Sequence, residues 1–559
     1  MKTTPSDKGQ NPDYQDIPGF DGVRMPRKAQ TARAKDLLRP EAMTFIVDLH
    51  RKFEPERQRL LAQRKERQRA WNAGEVPGYL EQNSPAVTGD WRVAPIPEDL
   101  QCRRVEITGP AESAKMVINM LNRSAAGVRA DAAMLDLEDA LKPSWENILN
   151  AVTNIAGAAA GTLVHIDPAR PGRAEKEYRL NVDDTATMIV RPRGMHLHEI
   201  NFSVDGSPIS AALFDVGLCL FHMVHALMKR GKTPAYYIPK CEHHLEARWW
   251  NEVFGAMEKN FSLPKGTIKA TFLIETLPAA FQMEEILYEI REHGVGLNVG
   301  RWDKIFSDIK SLGYHADRIL ADRAAITMQK PWMEAYARRL VQICHQRGAF
   351  AMGGMSAFTP GSSPEIREAQ IAKVTDDKRH EASIGHDGCW VSHPYFIEHA
   401  LGAFVHQNQL DVMYRDQDKY PDLLPRSDGP KTLAGLRTNV RVGIAYLEGW
   451  QRDIGCVAWD NLMEDLATLE ISRAQTWQWL HHGVELDDGA KVDDSLVRQI
   501  FSEELQKIVN EECEEIAKSR AADRESVVQG FTRAAQTAEE IFTRTEMADF
   551  LYEASEPAA

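Results

Sequence analysis

Short apolar runs alternate with helix-period stretches through the middle of the chain. Eight runs read as strands: Val105–Thr108, Ala133–Leu137, Met188–Arg191, Tyr236–Pro239, Phe272–Glu275, Gly296–Val299, Ala349–Gly353 and Trp390–His393. Short runs of this kind, separated by helical patterns, are the signature of a parallel sheet covered by helices. The clearest unit is Thr271–Asp303. Its first run ends on Glu275, Thr276 offers a helix N-cap with Pro278 in the first turn, and Met283, Ile286, Leu287 and Ile290 recur along one helix face. Gly294 suits the helix C-cap, and Gly296–Gly300 leads as a second strand into Arg301-Trp302-Asp303.

The flanks read differently. Residues Met1 to about Arg24 are polar and carry Pro and Gly, the composition of a loose arm. Pro40–Ala73 reads as helix with a break or kink at Pro55, and its basic run around Arg57–Arg69 reads as a solvated face. Leu163–Met188 is an irregular extra with LVHID as a further strand, an inserted α/β element. After about Gly402 the alternation stops, and Leu433–Trp450, Leu462–His482, Ser495–Lys518 and Arg524–Tyr552 read as helices. The fold class is therefore α/β with a C-terminal helical domain. Eight strands match a closed (β/α)8 barrel, although an open doubly wound sheet would alternate similarly.

Charge and composition narrow the function. A formal net charge of −14 argues against a general nucleic-acid binder. Seven scattered cysteines without a CxxC pair fit a reducing compartment. With no apolar signal core in MKTTPSDKGQ, no uninterrupted apolar run of membrane length and no Ser-Lys-Leu ending, the expected location is the cytoplasm, with no membrane partner.

In a barrel the reactive residues sit where strands end, and the strand ends here are polar: Glu138-Asp139, Arg191, Lys240, Glu275, Asp303 and His393. If their strands are neighbours, Glu275 and Asp303 reach one cation, and a carboxylate pair leaving room for water and substrate is the usual way to hold Mg²⁺. Read singly, Glu275 could instead favour a helix dipole and Asp303 a helix cap. GVGLNVG at Gly294–Gly300 looks like a nucleotide loop, but no phosphate-binding helix is expected behind it. His196/His198 and His243-His244 lack metal-ligand spacing, and Cys241 and Cys456 have no paired base in sequence.

The wording of several stretches carries more. IETLPAAFQMEEILYEIREHGVGLNVGRWDKIFSDIK, WRVAPIPEDLQCRRVEITGP, MIVRPRGMHLHE, YYIPKCEHHLEARWWNEVF, MGGMSAF, GHDGCWVSHP and NLMEDLATLEISRAQTWQW together resemble the malate synthases, in particular the shorter A-type enzymes. The resemblance implies a barrel with an N-terminal helical clasp (1–95), barrel residues 96–402 with the insertion at about 150–187, and a C-terminal helical plug (403–559). It implies Mg²⁺-dependent Claisen condensation of acetyl-CoA with glyoxylate, followed by thioester hydrolysis to malate and CoA. By motif match it makes Glu275 and Asp303 the metal ligands, Asp465 the catalytic base and Arg191 the catalytic arginine, with Arg193 its neighbouring competitor. It places the glyoxylate carboxylate on backbone N–H groups around Gly300, Arg301, Trp302 and Asp303.

Three stretches depart from the family pattern: MLDLEDALKPSWEN, MGGMSAFTPGSSP and CVAWDNLMED. LDLEDAL is closer to citrate lyase β-subunit and malyl-CoA lyase wording. The alternatives this leaves are the same chemistry on another acyl-CoA or 2-oxo acid, and a malyl-CoA-type C–C lyase, with a non-catalytic barrel as a third class.

Overall fold

In the computed structural model, which describes residues 13–169, 174–414 and 418–551, the eight expected strands close into one parallel barrel. In chain order they are β1 (Val105–Pro110), β2 (Ala132–Asp136), β3 (Thr187–Arg191), β4 (Ala235–Ile238), β5 (Lys269–Ile274), β6 (Gly294–Val299), β7 (Phe350–Ser356) and β8 (Gly388–Val391). Each pairs with the next, β8 pairs with β1, and Tyr236 opposite Val190 joins β4 to β3. The open sheet is thereby excluded. Strand β8 starts two residues before the expected run, and Gly388 there has a packing reason. A Cβ on it would lie 1.8 Å from the Arg103 carbonyl oxygen, so only glycine lets the neighbouring backbone this close.

The barrel interior mixes apolar side chains with one buried polar knot. Met134, Ile189, Tyr237, Leu273, Val295 and Trp390 form an apolar cluster within it. Arg103 donates to Glu106 at 2.6 Å, to Thr271 at 2.8 Å and to the Tyr237 hydroxyl at 2.6 Å, and Trp390 donates to Glu106 at 2.9 Å. A buried ion pair is tolerable when every donor is satisfied in this way.

Several local expectations need correction. Residues Tyr14–Asp16 and Val23–Pro26 are strands, and the second pairs with His198–Val204; within the expected loose arm, residues 1–12 lie outside the described chain. Helix α1 (Pro40–Asn72) runs through Pro55 without a break. Packing on both sides of Pro55 offsets the lost hydrogen bond: Phe53 meets Trp249 edge-on, while Arg57 donates to Leu197 O at 2.9 Å. The basic run is not simply a solvated face, because Arg57 and Arg64 are buried against the barrel.

The helix expected after Thr276 is split into Leu277–Ala280 and Met283–Glu289, and Gly294 starts β6 instead of capping a helix. Thr276 does cap the first piece, its side chain accepting from Ala279 N at 3.3 Å. A helix does open behind the glycine-rich run: α2 (Arg301–Leu312), with Gly300 at its N-cap. Arg301-Trp302-Asp303 is therefore a helical first turn and not a strand end.

The C-terminal helices enclose a second core around Leu436, Tyr446, Trp479, Phe501 and Phe531. Residues 462–464 belong to a small hairpin, Val457–Trp459 with Leu462–Glu464, so the next helix, α3, covers Leu466–His482. The helix expected over Ser495–Lys518 is two, Asp494–Glu511 and Cys513–Arg520, and the last ends at Phe542. Among the described residues one helix, Ala211–Lys229, is long and apolar enough to cross a membrane, yet 72% of its apolar window is buried inside the fold. Its Asp215 holds the Arg193 guanidinium at 2.7 Å, which marks it as a core helix.

Candidate active site

The carboxyl ends of β2 to β6 converge with the N-terminus of α3 on one pocket. Asp136, Asp139, Arg191, Glu275, Gly300, Asp303 and Asp465 all line it. Because β5 and β6 are paired neighbours, Ile274 lies opposite Val299, which brings Glu275 beside Gly300 and the first turn of α2. The approach is close: a Cβ on Gly300 would fall 2.8 Å from Glu275 Cβ and 3.2 Å from its Oε2. Glycine is required there for the two carboxylates to share a corner.

Arg191 ends β3 and is held as a fork by Asp136, its Nε donating to Oδ1 at 2.7 Å and Nη2 to Oδ2 at 2.5 Å. Nη1 lies 3.2 Å from Asp139 Oδ2. Asp136 also accepts the N–H groups of Glu138 and Ala140 at 2.8 and 3.0 Å, so one carboxylate shapes the loop and aims the arginine. Arg193, the competitor, points elsewhere. It is buried in ion pairs with Asp215 at 2.7 Å and Glu199 at 2.9 Å.

Three residues outside the motif-matched set, Lys240, Glu138 and Asp139, complete the floor. Lys240, at a φ of 52°, donates Nζ to both oxygens of Asp139 at 2.8 Å and to Glu138 at 3.2 Å, and lies 3.1 Å from Asp303 Oδ1. Its backbone N–H donates to Glu275 Oε1 at 2.8 Å. A left-handed lysine is uncommon, and here the turn lets one residue present both amide and ammonium to the same cluster. Helix α1 fixes that turn through Arg64, which donates to Lys240 O at 2.8 Å. Glu138, Asp139 and Lys240 were visible in the sequence as polar strand ends, but spacing alone gave no reason to group them.

Six carboxylates (Asp136, Glu138, Asp139, Glu275, Asp303 and Asp465) thus surround two cations, Arg191 and Lys240. The imbalance is visible in the acidities. Burial, then repulsion from Asp303, pushes Glu275 up to about 8. Burial also raises Asp303, and burial with Asp139 repulsion raises Glu138 well above the carboxylate range. For Asp465 burial is again first, with Asp139 and Asp303 repelling its charge. Asp139 is held low, because Lys240 and Arg191 outweigh its burial.

Two buried oxygens, Glu138 Oε1 and Glu275 Oε2, make no hydrogen bond, and Asp303 Oδ1 has the Lys240 ammonium 3.1 Å away. Unpaired buried carboxylate oxygens are costly, and a divalent cation would relieve both the missing contacts and the excess charge. Among the described residues no three His, Cys, Asp or Glu side chains form a metal cage by themselves. The donor set fits a hard cation that keeps positions for water and substrate oxygens, which is Mg²⁺ chemistry.

The first turn of α2 supplies anion donors. The Gly300 N–H is taken by the Tyr336 hydroxyl at 3.1 Å, so its expected place among the donors is not available. The following N–H groups, of Arg301, Trp302 and Asp303, precede the first intrahelical bond, Lys304 N to Gly300 O, and have no helical partner of their own.

Asp465 is the N-cap of α3 and accepts from Thr468 N at 3.3 Å. Its neighbour Glu464 is absent from the pocket lining and pairs with Arg323 at 3.3 Å. The hairpin before α3 is stitched to the barrel, with Met463 N donating to Ala357 O at 2.7 Å and Thr359 N to Asn461 O at 3.0 Å. This is where the divergent 358–363 stretch lies, while the divergent 135–145 stretch supplies Asp136, Asp139 and Ala140 to the pocket itself.

Comparison with known proteins decides the family. Three family models match in order: "Malate synthase, N-terminal domain" over 21–84, "Malate synthase, TIM barrel domain" over 187–424 and "Malate synthase, C-terminal" over 430–555. The malate synthase of Myxococcus xanthus is 46% identical, covering 86% of this chain and 88% of its own length. The chain belongs to the malate synthase family. Malate synthase A of Escherichia coli is 44% identical, covering 92% of this chain and 94% of its own length, and the glyoxysomal malate synthase of Brassica napus is 43% identical over 88% of each. The enzyme is therefore an acyltransferase of malate synthase type, and neither the lyase nor the non-catalytic reading is favoured. Residues 85–186, which contribute β1, β2 and the Asp136–Asp139 loop, fall between the first two matched segments.

Proposed function

We infer that this enzyme condenses acetyl-CoA with glyoxylate and hydrolyses the resulting thioester, releasing malate and CoA. The observation that carries the reading is Asp465: a carboxylate from the C-terminal helices facing the same pocket as Glu275, Asp303 and Arg191 from the barrel.

Glu275 and Asp303 would hold Mg²⁺, which when bound supplies Lewis-acid polarisation of the glyoxylate aldehyde. The N–H groups of Arg301, Trp302 and Asp303 orient the glyoxylate carboxylate at the positive end of α2. Asp465 takes a proton from the acetyl methyl, and a buried carboxylate of raised basicity is suited to that transfer. Arg191, kept charged and aimed by Asp136, stabilises the negative oxygen that develops on the thioester. The enolate carbon then attacks the aldehyde carbon, and water cleaves the thioester. The seam of α3 and its hairpin on the barrel shields the pocket from water while the C–C bond forms.

A cytoplasmic location belongs to the same reading, supported by seven cysteines that are all free thiols. Release of CoA from acetyl-CoA plus glyoxylate, assayed with and without Mg²⁺, tests the function. Mg²⁺-dependent release that requires glyoxylate is expected; release without glyoxylate would contradict it.

A further inference from the structure

Helix α3 is gripped beside its catalytic end by a residue outside the pocket lining. Arg323 starts a short 3-10 turn, Arg323–Ala325, in the loop that follows α2, and it is 6% exposed. Its guanidinium spans the chain on both sides of Asp465. Nη2 donates to Glu464 Oε1 at 3.3 Å, and Nη1 donates to Ser472 Oγ at 3.1 Å and to Thr468 O at 3.4 Å. Thr468 in turn holds Asp465 twice. Its backbone N–H donates to the carboxylate at 3.3 Å, and its hydroxyl donates to the Asp465 carbonyl at 2.8 Å. One planar group therefore pins the residue before the proposed base and the turn after it.

The same guanidinium also meets the first turn of α2. Arg323 Cζ lies 5.5 Å from the centroid of the Trp302 ring, and Arg301 lies over that ring at 4.2 Å. Trp302 lines the active-site pocket and belongs to the turn whose N–H groups face the glyoxylate carboxylate in the proposed reaction. A guanidinium on an indole is drawn to the negative face of the ring, more strongly where water is excluded.

The loop carrying Arg323 is itself held by the C-terminal helices. Gln475 donates to Ala321 O at 2.6 Å and Trp479 to Leu320 O at 2.9 Å. Asp322 accepts the Thr432 N–H at 2.9 Å and its hydroxyl at 2.6 Å. The fork thus stands on a fixed support, and it cannot follow one partner without leaving another.

We propose that Arg323 is a positioning residue for the condensation, setting Asp465 at a fixed place relative to the turn that binds the oxo-acid. The inference rests on the reaction proposed above. The polar contacts of Arg323 go to Glu464, Thr468 and Ser472 and to neither metal-binding carboxylate, so it acts on the base and not on the metal.

The test compares two variants with the wild type. Arg323→Lys keeps a charge beside Glu464, but one ammonium cannot reach Thr468, Ser472 and the Trp302 ring together. Turnover should fall about 10²-fold, the cost of a reacting group displaced by about 1 Å. Mg²⁺ affinity by calorimetry and the thermal midpoint should stay near wild type. Arg323→Ala should lose more, and added guanidinium ion should restore part of its turnover by filling the vacated space. Normal turnover in Arg323→Lys would overturn the proposal. So would a drop in thermal midpoint or Mg²⁺ affinity that accounts for the lost turnover, or a folded Arg323→Ala that guanidinium leaves unchanged. Failure of the underlying reaction reads differently, as wild-type enzyme that releases no CoA from acetyl-CoA plus glyoxylate.

Discussion

The backbone N–H of Leu466 donates to the carbonyl of Asp139 at 3.1 Å, joining the residue after the proposed base to the residue that gathers Arg191 and Lys240. One hydrogen bond therefore fixes the C-terminal helix α3 to the barrel loop at the point where their carboxylates meet. Gly455 closes the same seam, since a Cβ there would lie 2.2 Å from Lys142 N. Gly455→Val should force the seam apart and lower turnover by about 10²-fold, the cost of a catalytic group misplaced by about 1 Å, while the barrel stays folded. Turnover and far-ultraviolet circular dichroism measured together check this; normal turnover would show that the contact does not set the geometry.

Asp303→Asn removes half the anionic charge of the proposed ligand pair. Mg²⁺ and glyoxylate affinity should fall together, and the fold should hold because Asp303 is only one of several partners of Lys240. Calorimetric titration of Mg²⁺ reads this directly, and wild-type affinity would remove Asp303 from the site.

Gly300→Ala reaches the same pair sterically. The added methyl would meet Glu275 Cβ at 2.8 Å, so Glu275 must shift or the first turn of α2 must move. Mg²⁺ affinity should weaken with all charges retained. An unchanged affinity would mean that the tight corner is not a ligand site.

Arg191→Lys keeps the charge but loses the fork that Asp136 grips, and a turnover loss of about 10²-fold or more is expected. Arg193→Met should behave otherwise. It leaves Asp215 buried without its partner and should cost about 3–5 kcal/mol of stability. Urea unfolding and steady-state kinetics on both variants separate the roles, and a stable but inactive Arg193→Met would reverse them.

The sequence made the barrel legible because each strand is a short apolar run between helix-period stretches, and Glu275 and Asp303 were legible because a strand–helix–strand unit returns both to one end. What it hid came from three-dimensional packing. The helix through Pro55 survives because Phe53, Arg57 and Arg64 are anchored on the barrel, information absent from local propensity. Lys240 joins the site through a left-handed turn that its neighbours in sequence do not signal. The Gly300 amide looked free, but Tyr336, a residue 36 positions away, occupies it. Asp465 by spacing alone is a first-turn acid of the helix expected over Leu462–His482; it is instead the N-cap of α3, and only the docking of α3 on the barrel brings it into the pocket.

Asp465 as the proton acceptor is the centre of the account, and exchange of the acetyl methyl protons of acetyl-CoA with deuterated water measures it most directly. The measurement uses Mg²⁺-loaded enzyme with pyruvate in place of glyoxylate, so that proton removal is seen without C–C bond formation. Asp465→Asn keeps the cap to Thr468 through its amide oxygen and should leave Mg²⁺ and acetyl-CoA affinities near normal, while turnover falls by about 10²–10⁴-fold. Slow exchange in the wild type and none in Asp465→Asn is the predicted result; exchange at the wild-type rate in the variant would contradict it and place the base elsewhere.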